Sequence, residues 1–120
     1  MKLLIVDDSL IMRRAVERAV AGSSRFTEVR FAPNGRVALE EFTRFQPDFV
    51  TMDITMPEMD GISAVEAIKA RNKSALVLIV SALADRDTAI EAIKKGAQGF
   101  LLKPVTADSL IEAIDDIMSP

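Results

Sequence analysis

Residues 49–53 have the sequence FVTMD, and residues 3–8 have the sequence LLIVDD. Each stretch is an apolar run of strand length that ends in carboxylate side chains. Such runs are typical of parallel strands that are buried on both faces of a sheet. In an open parallel sheet, ligands bind in the crevice at the carboxyl ends of the strands. We therefore expect Asp7, Asp8 and Asp53 to converge on one pocket if these strands are neighbours.

Three further runs of strand length complete a regular alternation of predicted strands and helices. The five predicted strands cover residues 3–6, 27–31, 49–52, 76–80 and 99–102. Four of them are almost continuously apolar, which predicts burial on both faces. The second alternates with Glu28 and Arg30, which predicts an edge strand. This alternation indicates parallel strands joined by right-handed crossovers. We predict an α/β fold with three layers and five parallel strands, forming one domain over residues 1–120.

Apolar residues spaced three or four apart mark five helices between and after these strands. Ser9 is the predicted N-cap of the first helix, and Asn34 and Gly35 open the second, which ends before Pro47. The fourth helix is predicted to stop at Gly96. The residues predicted to face the sheet are, helix by helix, Met12, Ala15, Val16, Ala19 and Val20; Ala38, Phe42 and Phe45; Ile62, Val65 and Ile68; Ala89, Ile90 and Ile93; and Leu110, Ile114 and Ile117.

Composition excludes several classes of function. The net charge of −3 and the pI of about 5.0 argue against nucleic-acid binding, and no basic stripe offsets them. The pairs Arg13-Arg14 and Lys94-Lys95 are predicted to be solvated helix faces. There is no cysteine, so disulfides and thiolate metal sites are excluded. No apolar run is long enough to span a bilayer, and the first residues show no signal-peptide pattern, which predicts a cytoplasmic protein without a membrane partner.

The chain also contains no histidine. The most common general base and any serine–histidine triad are therefore absent. The chain cannot carry a phosphohistidine of its own either. Its chemistry must depend on carboxylate, hydroxyl and lysine side chains.

Asp53 is the first candidate for that chemistry. Its carboxylate is ionised at neutral pH, which makes it a usable nucleophile and a poor general acid. Attack on a phosphoryl group would form an aspartyl phosphate. Asp7 and Asp8 fit oxygen ligands for a hard divalent cation such as Mg²⁺, since Ser9 already supplies the helix cap. Three carboxylates are neutralised by one Mg²⁺ and one lysine.

Lys103 is the candidate for that lysine because it directly follows the fifth predicted strand. As a point charge it could pair with Asp53 and later hold a phosphoryl oxygen. The bond to Pro104 is of the type for which a cis peptide is common, and the sequence leaves its isomer open. Ser81 ends the fourth strand, where its hydroxyl could donate to a phosphoryl oxygen, and Ala82 leaves room beside it.

Taken together, these residues resemble the receiver domains of response regulators, including those of chemotaxis. The matching segments are Leu4-Ile5-Val6-Asp7-Asp8-Ser9, Asp53-Ile54-Thr55-Met56-Pro57-Glu58-Met59-Asp60-Gly61, Ser81-Ala82 and Leu102-Lys103-Pro104. The resemblance implies a flavodoxin-like sheet with strand order 2-1-3-4-5. It also implies a cytoplasmic two-component signalling protein that catalyses only its own phosphorylation and dephosphorylation.

The resemblance assigns a role to each matching position. Asp53 would be the phosphoacceptor, supplied by a sensor histidine kinase or phosphotransfer protein. Asp7, Asp8 and Asp53 would hold Mg²⁺ together with the main-chain carbonyl of Thr55. Ser81 and Lys103 would bind the phosphoryl oxygens. Phe100 occupies the place of an aromatic switch, although a core aromatic is a fair alternative. A downstream effector would read the surface of the fourth helix, fifth strand and fifth helix.

Thr55 and Leu83 lie two residues after Asp53 and Ser81, respectively. Well-known chemotaxis regulators carry a pair of polar residues at the matching positions, and these positions resemble the ones that tune the phosphoryl lifetime in the family. Leu83 offers no group to position an attacking water, which predicts slow self-dephosphorylation. Phe100 in place of tyrosine makes identical binding to a flagellar motor doubtful. Two alternatives stay open. One is an interaction domain that works without phosphorylation. The other is an aspartate-nucleophile phosphohydrolase, but such an enzyme needs an acidic residue two positions after its nucleophile, where this chain has Thr55. A flavin carrier is weaker, because neither Trp nor Tyr is present.

Overall fold

A computed structural model describes residues 1–54, 59–82 and 86–119. Five strands alternate with five helices along the chain. The elements are β1 (Lys2–Val6), α1 (Leu10–Ala21), β2 (Glu28–Ala32), α2 (Gly35–Phe45), β3 (Phe49–Met52), α3 (Gly61–Arg71), β4 (Leu76–Ser81), α4 (Arg86–Lys94), β5 (Gly99–Leu102) and α5 (Ala107–Met118). The predicted α/β class is confirmed.

The five strands form one parallel sheet in the order β2-β1-β3-β4-β5. This is the order implied by the family resemblance, and β2 lies at an edge as predicted. In the register of the sheet, Val6 lies opposite Met52 and Ser81 lies opposite Leu102. The next residues of β1 and β3 are Asp7 and Asp53, so the register places both acids at the same height on the carboxyl edge.

Two hydrophobic clusters make the sheet the middle of three layers. On one face, α1 and α5 pack against β1, β3 and β4 through Val16, Val20, Leu110 and Ile114. On the other face, α2, α3 and α4 cover the same strands. Burying β1, β3 and β4 on both sides explains why their sequences are almost continuously apolar.

The predicted helix starts are present. The Ser9 side chain accepts a hydrogen bond from the Met12 amide at 3.3 Å, and the Asn34 side chain accepts one from the Val37 amide at 2.9 Å. Each cap satisfies an amide that has no partner within its helix. Gln46, with φ of 50°, ends α2 directly before Pro47. These caps fix where α1 and α2 leave the carboxyl edge of the sheet.

Two predictions about burial are wrong. β5 is only partly buried and Leu102 is 46% exposed, because β5 forms the second edge of the sheet. In α4, Ala92 is the buried residue, whereas Ile90 and Ile93 are 41% and 46% exposed. The helix packs through this small residue and turns both isoleucines outward. An apolar surface therefore remains along α4 and the edge strand.

Thr51 in β3 is only 2% exposed, and its hydroxyl has no hydrogen-bond partner within the described ranges. An unpaired buried hydroxyl costs free energy, and valine has nearly the same shape. We expect Thr51→Val to raise the free energy of unfolding by about 1 kcal/mol in urea denaturation. Thr43→Val is the control, since Thr43 is exposed and its hydroxyl donates to Leu39 within α2. A stability below that of the parent would contradict the prediction.

Candidate functional site

The carboxyl ends of β1 and β3 bring three acidic residues together. Main-chain hydrogen bonds continue past both strands: the Asp7 amide donates to Ala32 at 3.1 Å, and the Asp53 amide donates to Val6 at 2.9 Å. These bonds hold both acids in the line of their strands. One carboxylate oxygen from each of Asp7, Asp8 and Asp53 lies within 4.8 Å of the others.

Every polar atom of Asp7 is engaged. Its amide bonds Ala32, and its carbonyl accepts a hydrogen bond from Arg13 Nη1 at 2.7 Å. Its Oδ1 accepts one from the Ser9 amide at 2.9 Å, and its Oδ2 accepts one from Lys103 Nζ at 2.8 Å. The residue is only 3% exposed. Asp7 is therefore fixed in place by four neighbours.

Asp8 is exposed, in contrast, and its carboxylate has no hydrogen bond or ion pair within residues 1–54, 59–82 and 86–119. It faces the negative charges of Asp7 and Asp53 without a partner of its own. Its oxygens are free to bind a cation, and in the absence of one they repel the neighbouring carboxylates.

We expect Asp8→Asn to raise the free energy of unfolding by about 1 kcal/mol at low ionic strength without metal, because one of three crowded charges disappears. The same change should weaken Mg²⁺ binding on the order of a hundredfold. Urea denaturation and calorimetric titration with MgCl₂ measure the two effects. Asp48→Asn, which removes an equal charge before β3, should leave Mg²⁺ binding unchanged. Loss of stability in Asp8→Asn would contradict the expectation.

Lys103 supplies the positive charge at the end of β5. Its Nζ lies 2.8 Å from Asp7 Oδ2 and 3.8 Å from Asp53 Oδ1, so it pairs more closely with Asp7 than with the expected Asp53. The side chain is only 17% exposed. The Lys103–Pro104 peptide bond is cis, and the Lys103 amide donates to the Ser81 carbonyl at 2.8 Å.

Ser81 lies on β4, which adjoins β3 in the sheet, and Phe100 lies on β5, one strand further out. Ser81 ends β4 and is completely buried. Phe100 is half-buried in β5, where it packs against the core cluster beneath α2, α3 and α4. Thr55 and Leu83 lie outside the described residues.

Two residues at the site had no role there in the sequence-based predictions. Arg13 was predicted to be a solvated arginine, yet its guanidinium folds back onto the Asp7 carbonyl. A possible signal was its position in the first turn of α1, six residues after Asp7. The other is Gly61, the first residue of α3. A Cβ atom there would overlap the Asp53 carbonyl oxygen and lie 2.7 Å from Ile54 Cα.

The three carboxylates fit a hard divalent cation. Mg²⁺ binds oxygen ligands at about 2.1 Å, which puts opposite ligands about 4.2 Å apart. The oxygen separations of up to 4.8 Å are close to that span. Such a cation would also offset the charge that Lys103 alone leaves uncompensated. Asp7, Asp8 and Asp53 are therefore the residues that could hold Mg²⁺.

Comparison with known proteins places this geometry in context. Residues 3–115 match the family described as the response regulator receiver domain. The chain is 44% identical over 115 residues to the chemotaxis protein CheY of Listeria monocytogenes, covering 96% of each chain. It is 41% identical over 118 residues to CheY of Bacillus subtilis, covering 98% of each.

A solved structure extends the likeness to three dimensions. A chain of the CheX–CheY–BeF₃–Mg²⁺ complex from Borrelia burgdorferi matches with a TM-score of 0.91 and 27% identity, covering 100% of this chain and 90% of that one. None of the helices described is long and apolar enough to cross a membrane.

Proposed function

This chain belongs to the response-regulator receiver family, and we propose that Asp53 is its phosphoacceptor. The donor is a phosphohistidine on a sensor histidine kinase or phosphotransfer protein, and residues 1–120 act as one receiver domain. The likeness to CheY proteins supports a role in chemotaxis. One observation carries the proposal: the buried Asp53 carboxylate shares a pocket with two further aspartates and one ammonium group.

The transfer is an exchange of one bond for another. An Asp53 carboxylate oxygen attacks phosphorus and forms a new P–O bond, while the P–N bond of the donor breaks. The electron pair of that bond stays on the imidazole nitrogen, and because the other ring nitrogen of the donor carries a proton, the leaving group is a neutral imidazole. No general base is needed because the Asp53 carboxylate is already ionised. This chemistry suits a chain that contains no histidine.

Asp7, Asp8 and Asp53 would hold Mg²⁺, with the main-chain carbonyl of Thr55 as a further ligand. When bound, the ion supplies positive charge for the phosphoryl oxygens. Lys103 adds a fixed ammonium group between Asp7 and Asp53, where charge develops during the transfer. Lys103 would therefore pair with the carboxylates in the resting site and bind the phosphoryl group after the transfer.

Ser81 and Phe100 are the switch residues of this proposal. Phosphorylation replaces one negative charge by about two and adds acceptor oxygens that recruit the Ser81 hydroxyl. In the sheet register, Ser81 lies opposite Leu102, and Phe100 lies opposite Ile79, two residues before Ser81. A movement of Ser81 is therefore passed directly to β5.

The effector binds the surface formed by α4, β5 and α5. Ile90, Ile93 and Leu102 are exposed apolar residues of this surface. The C-terminal end of α4 is held by Lys95, which pairs with Glu66 of α3 at 2.7 Å. The hydrogen bond that Lys95 donates to the Glu66 carboxylate raises the pKa of Lys95. On grounds of sequence alone, Thr55 and Leu83 are proposed to set the lifetime of the phosphoryl group on Asp53.

Incubation with Mg²⁺ and acetyl phosphate tests the proposal. We expect intact mass to rise by one phosphoryl group, and hydroxylamine to remove that group, as for an acyl phosphate. Asp53→Asn should abolish the adduct, whereas Asp48→Asn should retain it. An adduct that persists in Asp53→Asn would refute the assignment of the phosphoacceptor. Complete absence of an adduct in the parent would favour an interaction domain that works without phosphorylation.

A further inference from the structure

Arg13 is, among the residues that the structure describes, a cationic side chain in contact with one of the acids to which the proposed function gives no role. It lies in the first turn of α1 and is half-buried. Its Nη1 donates to the main-chain carbonyl of Asp7 at 2.7 Å. Glu17, one helical turn further along α1, forms no ion pair with it in the described part of the chain. The guanidinium is thus held against the main chain of Asp7 and is not paired with its helix neighbour.

The hydrogen bond to Asp7 gives this charge a fixed position. Asp7 itself is held by Ala32, Ser9 and Lys103. A guanidinium bound to such a residue stays close to the Asp7 main chain, where it carries a positive charge. Within the described residues, two cationic side chains therefore contact Asp7: Lys103 from the end of β5 and Arg13 from α1.

The second cation changes the charge balance of the site. With Mg²⁺ bound, the three carboxylates and Lys103 are neutral together, so Arg13 leaves an excess of one positive charge. Phosphorylation of Asp53 replaces one negative charge by about two. The excess is then removed. The charges of this site balance in the phosphorylated state and not in the resting state.

We propose that Arg13 is a positioning residue whose fixed charge favours the phosphorylated form of Asp53 over the resting form. The inference rests on the proposed function, because it assumes that Asp53 receives the phosphoryl group. Arg13 also opposes the binding of Mg²⁺ to the resting site, since both are cations. Its two effects, on metal binding and on phosphoryl transfer, consequently have opposite signs.

These opposite signs separate the proposal from a purely structural role. If Arg13 only held the Asp7 carbonyl in place, its loss would disorder the acids and weaken both Mg²⁺ binding and phosphorylation. If its charge matters, Arg13→Met should bind Mg²⁺ about two- to threefold more tightly and yet be phosphorylated about three- to tenfold more slowly. High salt should reduce both differences.

The experiment compares Arg13→Met, Arg13→Lys and Arg14→Met with the parent. Calorimetry gives the dissociation constant of Mg²⁺, and intact mass gives the initial rate of phosphorylation by acetyl phosphate at saturating Mg²⁺. Arg13→Lys keeps the charge and should stay close to the parent in both measurements. Arg14 is exposed and forms no hydrogen bond or ion pair with any residue the structure describes. Its replacement removes the same formal charge and should leave both quantities at the values of the parent, because solvent and salt screen an exposed charge.

Weaker or unchanged Mg²⁺ binding in Arg13→Met would overturn the proposal. Equal shifts in Arg14→Met, or failure of Arg13→Lys to restore the parent values, would do the same. A parent protein that forms no adduct would instead refute the proposed function itself. Normal phosphorylation of the parent together with an unaffected Arg13→Met would leave the proposed function standing and remove only this inference.

Discussion

We expect Lys103→Met to slow phosphorylation of Asp53 by about 10²–10³-fold while Mg²⁺ binds the resting protein more tightly. The ammonium lies between Asp7 Oδ2 and Asp53 Oδ1, at 2.8 and 3.8 Å. Its loss removes a positive charge from the place where the phosphoryl group gains negative charge. The same loss makes the resting site more negative, which should lower the dissociation constant of Mg²⁺ about three- to tenfold.

Calorimetry and the initial rate of adduct formation measure these two effects in one preparation. Lys73→Met is a matched control, because the exposed Lys73 lies between α3 and β4, far from the carboxyl edge of the sheet. It should leave both quantities as they are in the parent. A Lys103→Met protein that is phosphorylated at the parental rate would contradict the role of the ammonium group. Weaker Mg²⁺ binding would contradict the electrostatic explanation.

Gly61→Ala is expected to lower the free energy of unfolding by about 3 kcal/mol. The added Cβ would overlap the Asp53 carbonyl oxygen and crowd Ile54 Cα at 2.7 Å. These are main-chain atoms that cannot turn aside, so either the start of α3 or the end of β3 must move. Because a displacement of about 1 Å at a reacting group costs on the order of a hundredfold in rate, phosphorylation of Asp53 should fall accordingly.

Gly22→Ala provides the comparison, since a Cβ at Gly22 would meet nothing within 4 Å. Gly22 has φ of −79° and ψ of −7°, which alanine adopts without strain. We expect its stability to equal or slightly exceed that of the parent, because alanine reduces the freedom of the unfolded chain. Urea denaturation without metal measures both variants. If the free energy of unfolding of Gly61→Ala were within about 0.5 kcal/mol of that of the parent, the prediction would be wrong and α3 would have room to shift.

Most of the fold could be predicted from the sequence because local and long-range signals agree. The apolar runs of β1, β3 and β4 predict that helices cover both faces of these strands. The polar side chains of Ser9 and Asn34 predict where α1 and α2 begin. The prediction failed where burial depends on the neighbours of an element. Nothing in the sequence of residues 86–94 reveals that Ala92, rather than the isoleucines, meets the sheet.

The site was less predictable at the level of individual contacts. That Asp7, Asp8 and Asp53 meet follows from the strand order, which the family resemblance implied, and from the register, which only the structure shows. The closer pairing of Lys103 with Asp7 depends on side-chain positions that no spacing specifies. Arg13 was missed for the same reason, because a helical arginine of an acidic protein ordinarily faces water. The roles of Thr55 and Leu83 stay predictions.

The hydrogen bond from the Lys103 amide to the Ser81 carbonyl has a practical consequence. The two residues proposed to bind the phosphoryl group share this bond, so a shift of one relative to the other changes its length or angle. The proton of that amide is therefore a built-in spectroscopic reporter. Its chemical shift and exchange rate would follow occupancy of the pocket in a ¹⁵N-labelled sample, without any dye or substitution in a chain that contains neither tryptophan nor tyrosine.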